Sequence, residues 1–355
     1  MTLEELGWRP FFADHFAPYA AEGYLIGRVT LEQKNLYTVM TATHGEIPAV
    51  LTGRMYYDAA DREDLPAVGD WVIIRVHDPQ DPRAIIHGLL PRQSVLVRLG
   101  PGRKGELLLG ANIDTAFVLT GLDGNFSIPR IERYLAMIRQ GGITPVALLT
   151  KADLCPHVAE RVDEVQQSAP GVPVHALSAQ AGVGLQALSP YLMAGRTLAF
   201  LGSSGVGKST LLNCLLGENV QRVQEVRHTD SKGRHTTTSR ELFVLPGGAM
   251  IIDTPGMREL QLWQAEDGLT ATFADIDAII QQCRFDDCRH QHEPGCRVRE
   301  ALESGEIDGD RYARYLDLQR AARYQAAQEN RKIRKERERF WKNVSKQQKQ
   351  LKKGR

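Results

Sequence analysis

Residues 202–209 read GSSGVGKS, a pattern whose residue types suit the binding of phosphate groups. The glycines allow a tight backbone turn in which successive N–H groups point inward at a β-phosphate. In such a loop Lys208 reaches the β/γ oxygens, and the hydroxyl of Ser209 can bind Mg²⁺. This segment therefore predicts a phosphate loop that binds a nucleotide together with magnesium.

The segments on either side of the loop favour the same interpretation. Residues 197–201 form a short apolar run of strand type, and the LLNCLLG run after Thr210 is apolar with helical character. A loop between a strand and a helix uses the helix N-terminus as an anion site. This context favours phosphate binding over a glycine turn without a ligand.

Two further segments carry side chains that suit a guanine base and a magnesium ion. In LTKAD at 149–153, Asp153 is suited to accept from N1–H and the exocyclic amine of guanine, while the stem of Lys151 can lie over the base. In AMIIDTPG, a strand of buried type ends at Asp253, whose carboxylate can hold Mg²⁺ through water, and the Gly256 N–H can sense a γ-phosphate. The base contacts favour GTP over ATP.

The order of these segments is inverted. In the common order of GTPases the phosphate loop comes first, the two switch segments follow, and the base-reading segments come last. Here LTKAD and the LSA segment at 177–179 precede the phosphate loop. The N- and C-termini of the common GTPase order are therefore joined, and the termini of this domain lie at another point of the fold. Thr150 stands where many GTPases have Asn. The loss of that amide's contact to the base and the phosphate loop predicts a modest affinity.

A cysteine cluster near the C-terminus predicts a metal site. CRFDDCRHQHEPGC offers three thiolates and one imidazole for tetrahedral Zn²⁺, from Cys283, Cys288, His290 and Cys296. Four protein ligands leave no open position, so the site is interpreted as structural. His292 is the alternative to His290, because it too can fold back between the cysteines, and reduced thiols without metal are the other alternative. Cys155 and Cys214 are predicted to be packing residues.

The N-terminus carries acidic residues and lacks a signal-like apolar core, and no run reaches membrane-spanning length. We therefore expect a cytoplasmic protein without membrane association, in which clustered thiols bind metal more often than they form disulfides. Nothing indicates an obligate dimer, so a monomer is expected.

The length of 355 residues exceeds what one hydrophobic core usually serves. Five short alternating runs, YLIGRV, LYTVMTA, AVLTGRMYY, DWVIIRV and AIIHGLL, predict an all-β OB-type barrel. Strands then alternate with helices, which predicts an α/β GTPase domain with a mainly parallel sheet. The predicted organisation is an N-terminal extension at 1–23, the barrel at 24–100, a circularly permuted GTPase domain at 104–262, a C-terminal α-helical zinc-binding domain at 263–330 and a basic tail at 331–355. LGPGRKG at 99–105 is expected to link the barrel to the GTPase domain.

Aromatic and basic residues suggest where RNA could bind. Tyr37, Tyr56 and Tyr57 of the barrel suit either base stacking or half-buried strand positions, whereas Trp71 is expected in the core. The net charge is only +1, yet residues 331–355 hold twelve Lys/Arg against two Glu. The net charge of this segment is therefore +10, and the net charge of residues 1–330 is −9. Such a tail suits contact with phosphates, and a solvated frayed tail is the alternative.

The order of TKAD, LSA, GSSGVGKST, GRHTTT, DTPG and the cysteine cluster resembles one known family. It is that of the circularly permuted GTPases which act in late assembly of the small ribosomal subunit, and the resemblance spans nearly the whole chain. It implies slow GTP hydrolysis that the small subunit strongly accelerates, an OB-type barrel, and a zinc knuckle with the spacing C-x4-C-x-H-x5-C. It also favours rRNA as the contact of the tail. In the family the base motif accepts Thr as well as Asn at the position of Thr150.

The hydrolytic residues are less direct to identify. Ras-like enzymes use a Gln after the DxxG glycine to orient the attacking water, but here Met257 holds that position and cannot do so. By position in the family's GRHTTT motif, Thr237 would complete Mg²⁺ coordination and His235 would orient water once a partner orders the loop. A solvated loop histidine is the alternative for His235. A nucleotide-regulated RNA-binding protein with vestigial hydrolysis therefore remains the second functional hypothesis.

These arguments define the candidate site residues. The catalytic candidates are His235, Lys208 and Thr237. The magnesium candidates are Ser209, Thr237 and Asp253. The GTP-binding candidates are Thr150, Lys151, Ala152, Asp153, Ser178, Ala179, Gly202, Ser203, Ser204, Gly205, Val206, Gly207, Lys208, Ser209, Thr210, Asp253 and Gly256.

Overall fold

The computed structural model describes residues 1–33, 36–59, 62–76, 78, 83–99, 106–217, 240–253, 269, 272–285 and 287–323. The chain divides into two compact units, Met1–Gln261 and Leu262–Arg355. Across the described ranges, no helix combines the length and the apolar content that crossing a bilayer requires.

The first unit begins with a helix and a closed five-stranded barrel. Helix α1 spans Pro10–Ala21, and the barrel is formed by β1 (Leu25–Gln33), β2 (Leu36–Thr41), β3 (Gly45–Leu51), β4 (Trp71–Val76) and β5 (Ala84–Leu89). The strands pair in the order β1-β2-β3-β5-β4, and a pairing between β1 and β4 closes the ring. Only β3 and β5 run parallel within it. This connectivity is that of an OB-type barrel, and it confirms the predicted fold.

One predicted barrel strand is too long. AVLTGRMYY was expected to be a single strand, but β3 ends at Leu51 and helix α2 (Gly53–Asp58) follows. Thr52 explains the change, because its hydroxyl accepts from the Met55 N–H at 3.2 Å and caps the helix. Tyr56 and Tyr57 therefore project from a helix, with 58% and 88% of their surface exposed. They do not occupy half-buried strand positions.

Other barrel aromatics lie inside. Trp71 is fully buried, which confirms its predicted place in the core, and it contacts Trp8 edge-on at a ring distance of 4.7 Å. Tyr37 is only 2% exposed, so its ring is not available to stack on a base.

A hairpin follows the barrel. Strands β6 (Val95–Leu99) and β7 (Glu106–Ala111) pair antiparallel as a separate two-stranded sheet. The stretch 99–105 was expected to link two domains. It instead joins the two strands of this hairpin, although residues 100–105 themselves lie outside the described part of the chain.

The second half of this unit is an α/β layer. Its strands are β8 (Thr115–Gly121), β9 (Thr144–Thr150), β10 (Val174–Ala176), β11 (Thr197–Leu201), β12 (Arg240–Val244) and β13 (Met250–Asp253). Their order is β10-β9-β8-β11-β13-β12, and only β12 runs antiparallel to its neighbour in this layer. Helices α3 (Ile128–Gln140), α4 (Val158–Ser168) and α5 (Lys208–Leu216) connect the strands. The buried faces of the central strands explain their nearly continuous apolar sequences.

The barrel and the α/β layer share one sheet. Strand β1 pairs antiparallel with β12 through Leu31 with Glu241 and Glu32 with Arg240. The Glu32 carboxylate also forms ion pairs with Arg240 at 3.3 Å and with Arg62. The two parts are therefore joined by backbone pairing as well as by side-chain contacts.

A buried guanidinium strengthens this junction. Arg28 of β1 donates to the carbonyl oxygens of Leu6, Gly69 and Asn112 and, at 2.8 Å, to Oγ1 of Thr197. Burial lowers the pKa of Arg28 to about 10, so the side chain stays charged at neutral pH. One side chain thus binds the N-terminal segment, the barrel and the α/β layer.

The second unit is helical in its described residues. It contains α6 (Ala274–Ile280), α7 (Arg297–Ser304) and a further helix whose described residues are 309–323. Arg311 forms a bidentate ion pair with Asp275 at 2.9 and 3.0 Å, and Tyr315 donates to Asp277 at 3.0 Å. These contacts attach the last helix to α6, which supports the predicted α-helical class of the C-terminal part.

Candidate nucleotide and metal sites

The phosphate loop lies between β11 and α5, where the sequence places it. Gly202 has φ 154°, and a Cβ there would lie 2.5 Å from the Leu119 carbonyl oxygen, so no side chain fits. Gly205 and Gly207 have φ values of 80° and 97°, in the left-handed region that glycine tolerates. The glycines are therefore required for two reasons, close approach at the first position and backbone conformation at the others. The loop ends at the N-terminus of α5, which favours anions.

Lys208 is held inside the loop. Its Nζ donates to the carbonyl oxygens of Gly202 and Ser203, both at 2.7 Å. Burial lowers the pKa of Lys208, and the nearby Asp253 carboxylate opposes that shift. The ammonium therefore lies in the phosphate loop, near enough to Asp253 at the end of β13 for their charges to interact.

Two of the three magnesium candidates, Ser209 and Asp253, lie among the described residues. Ser209 lies in the exposed first turn of α5, and Asp253 ends β13 close enough to influence Lys208. A hydroxyl and a carboxylate are oxygen donors of the kind that Mg²⁺ takes beside phosphates. When bound, Mg²⁺ would neutralise charge on the β- and γ-phosphates.

The base loop corrects one expectation from the sequence. Thr150 was expected to lose the contact that Asn makes to the phosphate loop. Its buried hydroxyl instead donates to the Val206 carbonyl oxygen at 2.6 Å. The amide is absent, but the connection between the two loops is kept by a shorter side chain.

The remaining base candidates converge beside it. Lys151 has a left-handed backbone (φ 57°), and its Nζ lies 2.6 Å from Oδ2 of Asp123. Asp153 is exposed, and no described residue donates to its carboxylate. The Ala152 N–H donates to the Leu177 carbonyl at 3.2 Å, which brings TKAD and LSA together.

The LSA segment is itself fixed by a turn. Ser178 is buried and exchanges two backbone hydrogen bonds with Val183, at 2.9 and 3.1 Å. Its hydroxyl accepts from the Ala181 N–H at 3.1 Å. Ala179 next to it is half-buried.

Several predicted residues lie outside the described part of the chain. These are His235, Thr237, Gly256, Met257 and the tail at 331–355. Their roles stay predictions.

The structure also adds residues that the sequence reasoning missed. The GLDGN turn after β8 brings Asp123 to Lys151, and Arg130 of α3 lies 3.4 Å from the Ser203 hydroxyl. The only signal in the sequence was a glycine-rich turn at the carboxyl end of a buried strand, beside the base loop in a parallel sheet.

The cysteine cluster has the geometry of a four-ligand metal site. The ligand atoms of Cys283, Cys288, His290 and Cys296 all lie within 4.8 Å of one another. Nδ1 of His290 is 3.6 Å from Sγ of Cys283 and 3.6 Å from Sγ of Cys296. Tetrahedral zinc with ordinary Zn–S and Zn–N bonds separates sulfur and nitrogen by about 3.6 Å. The residues therefore fit Zn²⁺, with His290 and not His292 in the cluster.

The turn around the cluster is fixed by a carboxylate. Glu293 accepts from the backbone N–H groups of Arg289, Gln291 and His292 at 2.9 to 3.1 Å. Backbone donors, its own among them, lower the pKa of Glu293 to about 2. Of the two other cysteines, Cys155 packs against the core as predicted, whereas Cys214 is exposed, and the packing role predicted for it is wrong.

Strand order and site together define a class. The mainly parallel sheet carries the phosphate loop after its central strand β11. The base-reading loops follow β9 and β10, so they precede the phosphate loop in the chain. This arrangement is that of a circularly permuted P-loop GTPase. The protein is a GTP hydrolase of this class.

Comparison with known proteins identifies the family. A family model described as RsgA GTPase matches residues 89–263, and an ABC transporter model matches residues 185–351, a span that contains the phosphate loop.

"Small ribosomal subunit biogenesis GTPase RsgA" of Opitutus terrae is 47% identical over 335 residues, covering 92% of this chain and 91% of the relative. "Small ribosomal subunit biogenesis GTPase RsgA 2" of Lactiplantibacillus plantarum is 46% identical, covering 85% of each chain. The crystal structure of YjeQ from Thermotoga maritima superposes with a TM-score of 0.61 at 28% identity, covering 83% of this chain and 97% of that one. The chain belongs to the RsgA GTPase family.

Proposed function

We propose that the protein hydrolyses GTP during late maturation of the small ribosomal subunit, and that the subunit stimulates this hydrolysis through contact with rRNA. In this proposal the GTPase acts as a checkpoint: hydrolysis occurs only when the subunit presents the correct surface. The observation that supports this proposal most strongly is the 47% identity to a small ribosomal subunit biogenesis GTPase over 92% of the chain.

The site supports the chemical part of this proposal. The phosphate loop, Lys208 and Asp253 form a preorganised site for phosphates, and electrostatic stabilisation of phosphoryl transfer needs little further covalent chemistry from the protein. Asp153 offers an uncommitted carboxylate to the two donors of guanine. In this proposal these residues bind the phosphates and the base of the substrate.

Water activation is the step for which the proposal needs a partner. Met257 cannot orient water, so we assign this task to His235, with Thr237 on magnesium. A slow basal rate follows if the segment that holds His235 reaches its active geometry only on the subunit. In this proposal the small subunit stimulates hydrolysis by giving this segment its active geometry.

Two surfaces support contact with rRNA. The tail at 331–355 carries a net charge of +10, which favours phosphate contacts that release counterions. Tyr56 and Tyr57 on α2 are exposed beside Arg54, a combination that suits stacking on unpaired bases. We propose both as rRNA contacts, and the one Zn²⁺ as the structural ion of the C-terminal unit.

The test is steady-state GTP turnover of the full chain with and without purified small subunits. We expect a slow basal rate and a large increase that saturates with subunit concentration. Large ribosomal subunits, which also expose rRNA phosphates, are the control. Equal turnover with and without small subunits would leave a nucleotide-regulated RNA-binding protein as the better description.

A further inference from the structure

The turn after β8 holds a carboxylate against the base loop. Nζ of Lys151 lies 2.6 Å from Oδ2 of Asp123, and the two side chains are 31% and 26% exposed. This is a partly buried ion pair, because neither group is free in solvent. We propose that Asp123 is a positioning residue for guanine recognition: it holds the Lys151 ammonium so that the lysine stem covers the base and the Asp153 carboxylate stays free for it. The inference rests on the proposed GTP site.

The two loops are in fixed register. Gly121 and Thr150 are paired across β8 and β9, and the Leu122 N–H donates to the Thr150 carbonyl at 2.9 Å. Lys151 therefore directly follows the last paired residue of β9, and Asp123 lies two residues after the last paired residue of the neighbouring parallel strand β8. The ion pair closes the gap between two loops that the sheet already brings together.

Asp123 is itself built into its turn. Its Oδ1 accepts from the Asn125 N–H at 2.9 Å, and a Cβ at Gly121 would lie 2.8 Å from the same oxygen. One carboxylate oxygen thus fixes the turn and the other binds the lysine. The hydrogen bond from Lys151 is the largest cause of the lowered pKa of Asp123, so the carboxylate is charged at neutral pH.

Lys151 lies close in sequence to a second carboxylate, that of Asp153. Its left-handed backbone, φ 57° and ψ 38°, is one that residues with a Cβ rarely adopt. Its ammonium is only two residues from Asp153, whose exposed carboxylate receives no hydrogen bond from any described residue. Without Asp123, the lysine would be free to pair with Asp153 and compete with guanine for it. The ion pair at Asp123 removes this competition.

The turn has other attachments that would survive a change at Asp123. Arg130 donates to the Asn125 carbonyl at 3.2 Å, and the guanidinium of Arg161 lies 4.8 Å from the Phe126 ring centre. Asp123→Asn keeps the size of the side chain and an acceptor for Asn125, so it removes mainly the charge. It is therefore the variant that separates positioning from folding.

The experiment measures equilibrium binding of fluorescent GDP and GTP analogues to the full chain. We expect Asp123→Asn to raise both dissociation constants about tenfold, with turnover at saturating GTP unchanged, since a charge-assisted contact of a partly buried pair is lost from the ground and transition states alike. Asp123→Glu restores the charge and should recover most of the affinity. Asp163→Asn, the same charge change on an exposed residue of α4, should bind as the original protein does.

A double-mutant cycle with Lys151→Ala decides whether Asp123 acts through the lysine. In the Lys151→Ala background, Asp123→Asn should cause no further loss, because there is no ammonium left to position. Unchanged affinity in Asp123→Asn, equal losses in the Asn and Glu variants, or additive losses in the cycle would each overturn the inference. Failure of the original protein to prefer guanine over adenine nucleotides would instead refute the proposed GTP site, so the two failures are distinguishable.

Discussion

Replacing Thr150 by Val tests the connection between the base loop and the phosphate loop. The side chain is 3% exposed, and its hydroxyl donates to the Val206 carbonyl at 2.6 Å. Valine keeps the branched shape and removes the donor. A net hydrogen bond of this kind contributes about 1 kcal/mol, and a buried carbonyl left without its donor costs about 1 kcal/mol more. The expected loss in the free energy of unfolding is therefore about 2 kcal/mol.

The effect on nucleotide affinity follows from which loops the bond joins. Its loss lets the base loop and the phosphate loop separate in the free protein, so the nucleotide must order them again when it binds. The upper limit is the full 2 kcal/mol, or about 30-fold in the dissociation constant. GDP and GTP should be affected equally, since both span the two loops. The melting temperature should fall by about 6 °C.

The assay is a titration of fluorescent GDP together with thermal unfolding of the same samples. Thr150→Ser is the matched control, because it keeps the hydroxyl and removes only the methyl group; it should retain most of the affinity. If Thr150→Val bound GDP as tightly as the original protein, the contact to Val206 would have no part in preorganising the site.

Four further predictions address separate parts of the molecule. Asp153→Asn should weaken GTP binding by about 3 kcal/mol and favour xanthine nucleotide, measured by competition among GTP, XTP and ATP; unchanged preference for GTP would refute base recognition by Asp153. Cys288→Ser should lower zinc content below one ion per chain and reduce the melting temperature of the C-terminal unit while GDP binding stays nearly intact; a metal-free original protein after reducing, chelator-free purification would contradict the zinc site. His235→Ala should keep GTP affinity but lose most subunit-stimulated turnover, and full stimulation at saturating subunits would exclude the histidine. Removal of 331–355 should weaken subunit association and make its salt dependence shallower without changing basal hydrolysis; an identical salt slope would exclude the tail.

The phosphate loop was predictable because its requirements are local. Gly202 must lack a Cβ to clear the Leu119 carbonyl, and Gly205 and Gly207 need a left-handed backbone. The residues that the loop requires therefore lie within one short segment of the sequence. The zinc cluster was predictable for a similar reason, since four ligands lie close in sequence. His290 was preferred to His292 from the sequence because it matches the family spacing C-x4-C-x-H-x5-C, and the coordinates confirm that His290 lies in the cluster.

The contacts that were missed are those between distant segments. Thr150 reaches Val206 across 56 positions, and Lys151 reaches Asp123 across 28. The sequence shows that Thr150 lacks the side-chain amide of Asn. Only the packing of neighbouring strands shows that its hydroxyl keeps the contact to the phosphate loop. The helix after Leu51 was missed for a local reason: the cap at Thr52 outweighs the strand-like composition of the tyrosines.

The shared sheet covers an edge of the α/β layer. In the α/β layer alone, β12 would be an exposed edge with unpaired backbone groups, which proteins usually cover. Strand β1 of the barrel covers it, and Glu241 is paired with Leu31 of the barrel on one side and with Asp253 on the other. Arg240, three positions after the predicted magnesium ligand Thr237, is held by Glu32. Strand β12, which follows the segment predicted to activate water, therefore lies between barrel strand β1 and strand β13, which ends at the predicted magnesium ligand Asp253.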